Sequence, residues 1–274
     1  LTSVVSYQGS PMGKVALDKE TKDAVVQNAN GQSFRTENTL SLSKKHRNSR
    51  IYLPILLNYY MDKVQTTLHP MDENNDVSMQ NLRVALAPQY EYSHFQYRYV
   101  LRLEVPVRMD YIAHRDHMIA SSSGSWYFSV CPSMYCNYKL TSRSVLRTNI
   151  FYARTFGDIL DFLKSPVRID DTSMKMGSGI LADNKSLNAS LHYDYKIPLK
   201  MWFFNADILY NQERSNILAS QDASNTLVTM SKVYAPNTAK SLIGQVGITK
   251  FIESIKTKIS LNGVQILGSV RFIG

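Results

Sequence analysis

The feature that most constrains this chain is a strict two-residue period. Tyr97, Tyr99, Leu101, Leu103, Val105, Val107, Met109 and Tyr111 take every second position, and Arg98, Val100, Arg102, Glu104, Pro106, Arg108 and Asp110 fill the gaps. Successive side chains of a strand point to opposite faces. A strand here therefore has one unbroken apolar face and one mostly charged face. The period returns over residues 82–92, 126–140, 187–199 and 202–210, and more weakly over 34–43, 51–59, 146–152, 242–252 and 259–272. The last run loses phase at Gly263 and Val264, where the spacing predicts a bulge.

The three longest runs cover 13 to 15 residues. Globular strands average ~5–6 residues, whereas a membrane-spanning strand needs ~9–11 and often projects further. Length thus favours a barrel over a sandwich. The links point the same way. Short links fall at 93–96, 141–143, 198–201 and 253–256, and long, polar ones at 61–79, 112–124, 156–184 and 211–225. Outer-membrane barrels alternate short periplasmic turns with longer outer loops. Residues 157–163 read as one helical turn inside such a loop. Aromatic residues gather at the ends of runs: Tyr97, Tyr99 and Tyr111, then Trp126, Tyr127 and Tyr138, then Trp202 and Tyr210. Aromatic girdles at both interfaces are expected of a transmembrane barrel. Pro54, Pro88, Pro106 and Pro132 fall inside these strands. Proline cannot donate to a ladder, so each should sit at a bulge or beyond the membrane band.

Composition narrows the function classes. The net charge of +9 is compatible with anionic lipid, an anionic ligand or a scattered basic surface. No apolar run approaches the ~20 residues of a membrane helix, which excludes helical spanning but not barrel spanning. The two cysteines, Cys131 and Cys136, would lie ~17 Å apart on opposite faces of one strand and read as packed thiols. His114 and His117 sit three apart in what reads as a loop, a poor setting for a metal. Asp170 and Asp171 read as ordinary loop acids, and Asp72, Glu73 and Asp76 lack the glycine and closing glutamate of a calcium loop. There is no phosphate-binding glycine loop, nucleophile elbow or Cys-x-x-Cys pair. Arginines and tyrosines fall on opposite strand faces, which argues against nucleic acid. The sequence offers no catalytic constellation, no metal site and no cofactor.

Local phrases carry a resemblance. Residues 187–210 read Leu-Asn-Ala-Ser-Leu-His-Tyr-Asp-Tyr-Lys-Ile-Pro-Leu-Lys-Met-Trp-Phe-Phe-Asn-Ala-Asp-Ile-Leu-Tyr. That stretch resembles a strand, a Pro-Leu-Lys turn and a second strand in the barrels of TonB-dependent outer-membrane receptors of the Bacteroidetes type. Arg214, Ser215, Asn216 and Ile217 open a loop in a similar way. Lys256-Thr257-Lys258-Ile259-Ser260-Leu261, within residues 251–262, resembles a later periplasmic turn and strand. The likeness spans roughly residues 50–274. It implies nutrient uptake energised by a TonB complex. It also implies a 22-stranded barrel around a plug, of which this sequence shows about ten strands and no plug.

The expected architecture is all-β: an antiparallel transmembrane β-barrel, with residues 1–274 forming part of one outer-membrane barrel domain. Leu101, Leu103, Val105, Leu191 and Ile208 are expected to face lipid. Arg98, Arg102, Glu104, Arg108, His192 and Asp194 are expected to line a polar lumen. The expected partners are outer-membrane lipid and lipopolysaccharide, the remaining barrel strands or another outer-membrane chain, and a TonB complex. The competing reading is a soluble or surface-exposed β-sandwich that binds a partner, as an adhesin does.

Overall fold

The computed structural model of the chain describes residues 2–17, 24–69, 73–94, 98–168, 173–224 and 227–270. Its first strands are β1 (Thr2–Leu17), β2 (Ala24–His46), β3 (Ser49–His69), β4 (Glu73–Leu86), β5 (Gln89–His94), β6 (Tyr99–Glu104), β7 (Val107–Asp116), β8 (Ser121–Val130), β9 (Ser133–Lys139) and β10 (Ser144–Phe156). An irregular segment follows, holding β11 (Val167–Arg168) and β12 (Ser173–Met176). The chain returns as β13 (Asp183–Ile197), β14 (Trp202–Ser224), β15 (Leu227–Ile252) and β16 (Thr257–Ser269).

All of these strands join one sheet, antiparallel throughout except where β12 runs parallel to β15. β4 and β5 both pair with β3 and form one stave in two pieces. β6 with β7, and β8 with β9, are two more such staves. Counted this way, the described residues make eleven up-and-down staves. β1 pairs only with β2 and β16 only with β15, so among the described residues the sheet does not close. This is the expected all-β architecture, an open part of a larger barrel. A sandwich would need a second sheet over the apolar face, and the described strands supply none.

Each interruption within a stave falls at a proline, and the prolines line up. Ala87 N–H donates to the Pro54 carbonyl (3.1 Å), Val105 to Pro88 (3.1 Å), Cys131 to Pro106 (2.9 Å) and Tyr152 to Pro132 (2.9 Å). The row crosses adjacent staves within the apolar band, between Leu103 and Val107 on one of them. None of these prolines adds a residue. Pairing steps evenly across each break, from Glu104↔Ser133 to Val107↔Val130 on one side and from Glu104↔Gln89 to Val107↔Leu86 on the other. Side-chain faces therefore continue unchanged through every interruption.

The loops differ from the sequence expectation. β3 runs to His69, β4 starts at Glu73, and β14 runs to Ser224. The link between β7 and β8 is only the turn at residues 117–120, and His114 lies on strand β7. Among the described residues, only the link after β10 is a true long loop. The physical reason is that the apolar residues of these extensions, such as Val64, Leu68, Val77 and Met79, are few and lie on the inward face, so the outward apolar period of the wall does not continue into them. β1 likewise carried no legible period. The expected bulge near Gly263 is absent: β16 pairs one-to-one with β15 from Thr257↔Ile252 to Ser269↔Lys240. The sequence changes face there, but the backbone does not. The short link at 93–96 and the positions Tyr97, Asp72, Asp170 and Asp171 lie wholly or partly outside the described residues.

The one bulge between long strands lies elsewhere. Ser215 faces Asn237 but Ile217 faces Tyr234, so β15 holds one extra residue near Pro236. Asn237 Nδ2 ties the bulge by donating to the carbonyls of Ile217 (2.9 Å) and Ala235 (3.0 Å). A one-residue slip turns every following side chain to the other face, and Lys232 is thereby turned. Deleting Pro236 should restore one-to-one pairing and rotate Lys232 away. A cysteine at position 232 would then switch its labelling by a bulky thiol reagent, whereas one at position 242 would keep its labelling. Unchanged labelling at position 232 would contradict the bulge.

Candidate functional site: the loop face of the sheet

The register divides the side chains into two faces. One face is bare and apolar. Leu101, Leu103 and Val105 share it with Leu191, which pairs with Ile208. Leu103 and Ile208 leave 37% and 51% of their area exposed. Its aromatics form two rows. Tyr99 meets Tyr138 edge-on at 5.7 Å and Tyr92 at 6.2 Å near the short turns. Tyr111 meets Trp126 at 4.9 Å further up. Tyr99 and Tyr111 lie ~40 Å apart along the stave, and a tilt of ~45° brings that to ~28 Å of height.

The other face is polar and ion-paired. Arg102 bonds Glu91 at 2.8 Å, and both line a trough of about 400 Å³ with Arg50, Tyr52, Gln89 and Glu104. Arg83 bonds the fully buried Asp110 at 2.6 Å. Arg108 reaches Ser129 Oγ at 3.3 Å and the Arg154 carbonyl. Asp194 accepts from Arg147 at 3.1 Å and lies 3.0 Å from His192 Nε2, while His192 Nδ1 contacts Asp207. Both ring nitrogens of His192 thus lie against carboxylates. Arg98 sits apart, at the short-turn rim, donating to the carbonyls of Lys139 and Leu140. Among the described residues no group of three or more His, Cys, Asp or Glu is placed to hold a metal ion.

The long loop after β10 folds back onto this polar face. It starts with a 3-10 turn, Ile159–Phe162, capped by Asp158 accepting from Leu160 N–H at 3.0 Å. Ile159, Phe162 and Leu163 bury against Val77, Met79 and Ile112, all of which project from β4 and β7 to the same side. Phe162 stacks on His114 with ring centroids 3.9 Å apart. Asn75 pins the loop with two bonds to Ser165, one from its Nδ2 to the carbonyl and one to its Oδ1 from the N–H, each 3.0 Å. Asp161 is fully buried, accepts from Ala182 N–H at 3.2 Å and pairs with Lys232, the residue that the Pro236 bulge turned inward. The loop thereby bridges β4 and β7 on one side and β15 on the other.

No family model matches the chain, and no curated protein matches it. Solved structures do. The ferric citrate transporter FecA matches over 99% of this chain and 40% of its own, with a TM-score of 0.63 and 11% identity. The ferric yersiniabactin uptake receptor FyuA from Yersinia pestis matches over 98% and 40%, at 0.61 and 12% identity. The copper transporter OprC matches over 96% and 43%, at 0.61 and 12%.

The fold is that of the TonB-dependent receptor barrel.

The chain spans about two fifths of the length of these receptors. Within a receptor-type barrel wall, the structure brings Arg102 and Glu104 into one trough and His192 and Asp194 into one network, and it places Arg98 and Arg108 elsewhere. Sequence reasoning missed Arg83–Asp110, Arg154–Asp183 and Asp161–Lys232. The first joins directly paired positions of two expected strands and was legible in the alternation, whereas Asp183 of the second fell inside the expected link at 156–184. The third depends on the bulge and had no sequence signal.

Two outcomes test this arrangement. Breaking a buried ion pair strands a charge and costs about 3–5 kcal/mol, while replacing both partners with apolar residues costs far less. Arg83→Met should lower the melting temperature of the intact protein in detergent markedly, and Arg83→Met with Asp110→Leu should recover most of it. Equal losses would place Asp110 outside a buried pair. A Cβ on Gly177 would meet the carbonyl oxygens of Leu160 and Asp161. Gly177→Ala should destabilise the loop by about 1–3 kcal/mol and expose residues 157–182 to protease while the staves stay protected.

Proposed function

We propose that the chain forms one side of an outer-membrane receptor barrel that imports a polar nutrient with energy from a TonB complex. The observation that carries this reading is the two-faced sheet: a bare apolar face bounded by two aromatic rows, opposite an ion-paired face with a loop folded onto it. A soluble protein would bury the apolar face, since exposed patches of this extent mark contact with a partner or a membrane. In a bilayer the same face meets hydrocarbon. Leu101, Leu103, Val105, Leu191 and Ile208 then face lipid, while Arg102, Glu104, Arg108, His192 and Asp194 line the lumen and the loop narrows it.

Backbone groups in hydrocarbon must be paired, so only closed barrels span membranes with strands. The free edges of β1 and β16 therefore require further strands, from the same protein or another chain. Outer-leaflet lipid and lipopolysaccharide would surround the long hairpins. The similar structures are named as transporters and uptake receptors, which supports transport rather than catalysis.

Two measurements test the reading. Spin labels along Val107–Tyr111 should alternate between lipid-accessible odd positions and water-accessible even ones, and uniform water accessibility would remove the membrane from the account. Leu103→Arg should destabilise the membrane-inserted protein by roughly 2–4 kcal/mol. Arg102→Leu loses only a half-exposed pair worth about 0–1 kcal/mol. Equal sensitivity at both positions would indicate two buried faces.

A further inference from the structure

The net charge is not scattered. In an up-and-down sheet all the short turns lie at one rim, and here that rim is almost purely basic. Lys44, Lys45 and His46 end β2, and Arg47 lies in the turn to β3. Arg143 lies in the β9–β10 turn, Lys200 in the β13–β14 turn and Lys256 in the β15–β16 turn. The only acid in these described turns is Glu253. Of the ion-paired acids, Asp76, Asp110, Asp116, Asp161 and Asp183 sit toward the opposite rim, whereas Glu91, Asp194 and Asp207 lie nearer the short turns on the polar face and are engaged there by Arg102, Arg147 and His192, not by the turn cations. Lys44, Arg47, Arg143, Lys200 and Lys256 are all exposed, and none of them makes an ion pair within 4.0 Å among the described residues.

The level of this charge identifies its counter-ion. The cations stand at or just beyond the aromatic row near the short turns. Lys250 Nζ lies 5.0 Å over the Trp202 ring on the bare face and donates to the Lys200 carbonyl at 2.6 Å. An aromatic ring at the edge of an apolar band marks the headgroup level, and lysines there extend toward it. A ring of unpaired cations at that depth sets a positive potential that attracts anions.

We propose that this basic rim binds anionic phospholipid headgroups of the leaflet on the short-turn side, the periplasmic leaflet. The proposal rests on the barrel reading above. It commits to the leaflet rather than to an acidic protein because the charge is spread over every described short turn, at one depth, beside a lipid-facing tryptophan. A protein segment would need a localised patch. Exposed turn cations also tolerate the lateral exchange of lipid, since none is fixed by a carboxylate.

The two tryptophans of the chain test it, because Trp202 sits at the basic rim and Trp126 in the opposite aromatic row. The intact protein that carries this chain is placed in phosphatidylcholine vesicles doped with brominated phosphatidylglycerol or brominated phosphatidylcholine. The Trp202 signal is the difference between the parent and Trp202→Phe, and the Trp126 signal is obtained likewise. Near a membrane surface each basic residue contributes roughly a fivefold preference for anionic lipid. The brominated anionic lipid should therefore quench Trp202 roughly fivefold more effectively than the neutral one, with no preference at Trp126. The preference should fall as salt rises, because screening shortens from ~10 Å at 0.1 M to ~3 Å at 1 M. The combined variant Arg47→Gln, Arg143→Gln, Lys200→Gln and Lys256→Gln should lose the preference yet keep its quenching by neutral lipid. Equal quenching of Trp202 by both lipids, or an unchanged preference in that variant, overturns the proposal. So does capture of an acidic peptide at the rim without any lipid preference. Quenching of neither tryptophan by either lipid would instead overturn the barrel reading itself.

Discussion

Everything in this molecule depends on the lateral backbone ladder keeping one register from stave to stave. A strand has no internal hydrogen bonds, so each backbone group must find its partner on a neighbour. Because the side-chain period is two, that same ladder decides which face every residue occupies. The apolar runs of different staves become one continuous surface only because Leu103 pairs with Met134 and Leu191 with Ile208, and so on around the sheet. The polar residues assemble on the other side for the same reason. Arg83 meets Asp110, and His192 meets Asp207, as direct cross-strand partners. Opposite charges at such positions favour the register that juxtaposes them.

The inward loop shows how a single departure from that ladder is used. Asp161 is buried among apolar side chains, and burying a lone carboxylate would be costly. Lys232 offsets that cost, but only because the bulge at Pro236 changes the face of the β15 extension. Without the extra residue, the lysine would lie on the far side of the sheet and the aspartate would have no cation. The loop seat, the bulge and the ion pair are thus one unit, although their residues lie in four separate stretches of sequence.

This explains what the sequence could and could not reveal. The period over residues 97–111 made β6 and β7, the two faces and the barrel class legible, because an apolar environment on one side imposes alternation. The same reasoning failed for β1 and for the extensions of β3, β4 and β14, where the outward apolar period does not continue and scattered apolar residues such as Leu68, Val77 and Met79 lie inward. It also misplaced the bulge. Gly263 and Val264 break the apolar phase without breaking the register, whereas the true bulge lies in a stretch with little apolar pattern to interrupt. The helical turn within residues 157–163 was legible, and its seating against Val77, Met79 and Ile112 was not, since those contacts are long-range. The charge total was plain, but its concentration at one rim emerges only once the turns are known to share an end.

The proline row is where the two demands on the sheet meet. A proline inside a transmembrane stave would be expected to force a bulge, which would throw the following residues onto the wrong face. The observed arrangement avoids this. Each proline stands opposite a residue whose own N–H still donates to the proline carbonyl, so one of the two bonds of every such pair survives. What is lost is the bond the proline nitrogen would have made, leaving the carbonyls of Ala87, Val105, Cys131 and Tyr152 without that donor. An orphaned carbonyl is the better-tolerated half of a broken pair, because it has two lone pairs and is less rarely left short in native structures than an N–H. Register is kept intact at the expense of one ladder bond per stave, each worth about 0.5–1.5 kcal/mol. Losing the register would instead turn whole runs such as Leu101, Leu103 and Val105 to the polar side. The smaller cost is the one the sequence accepts.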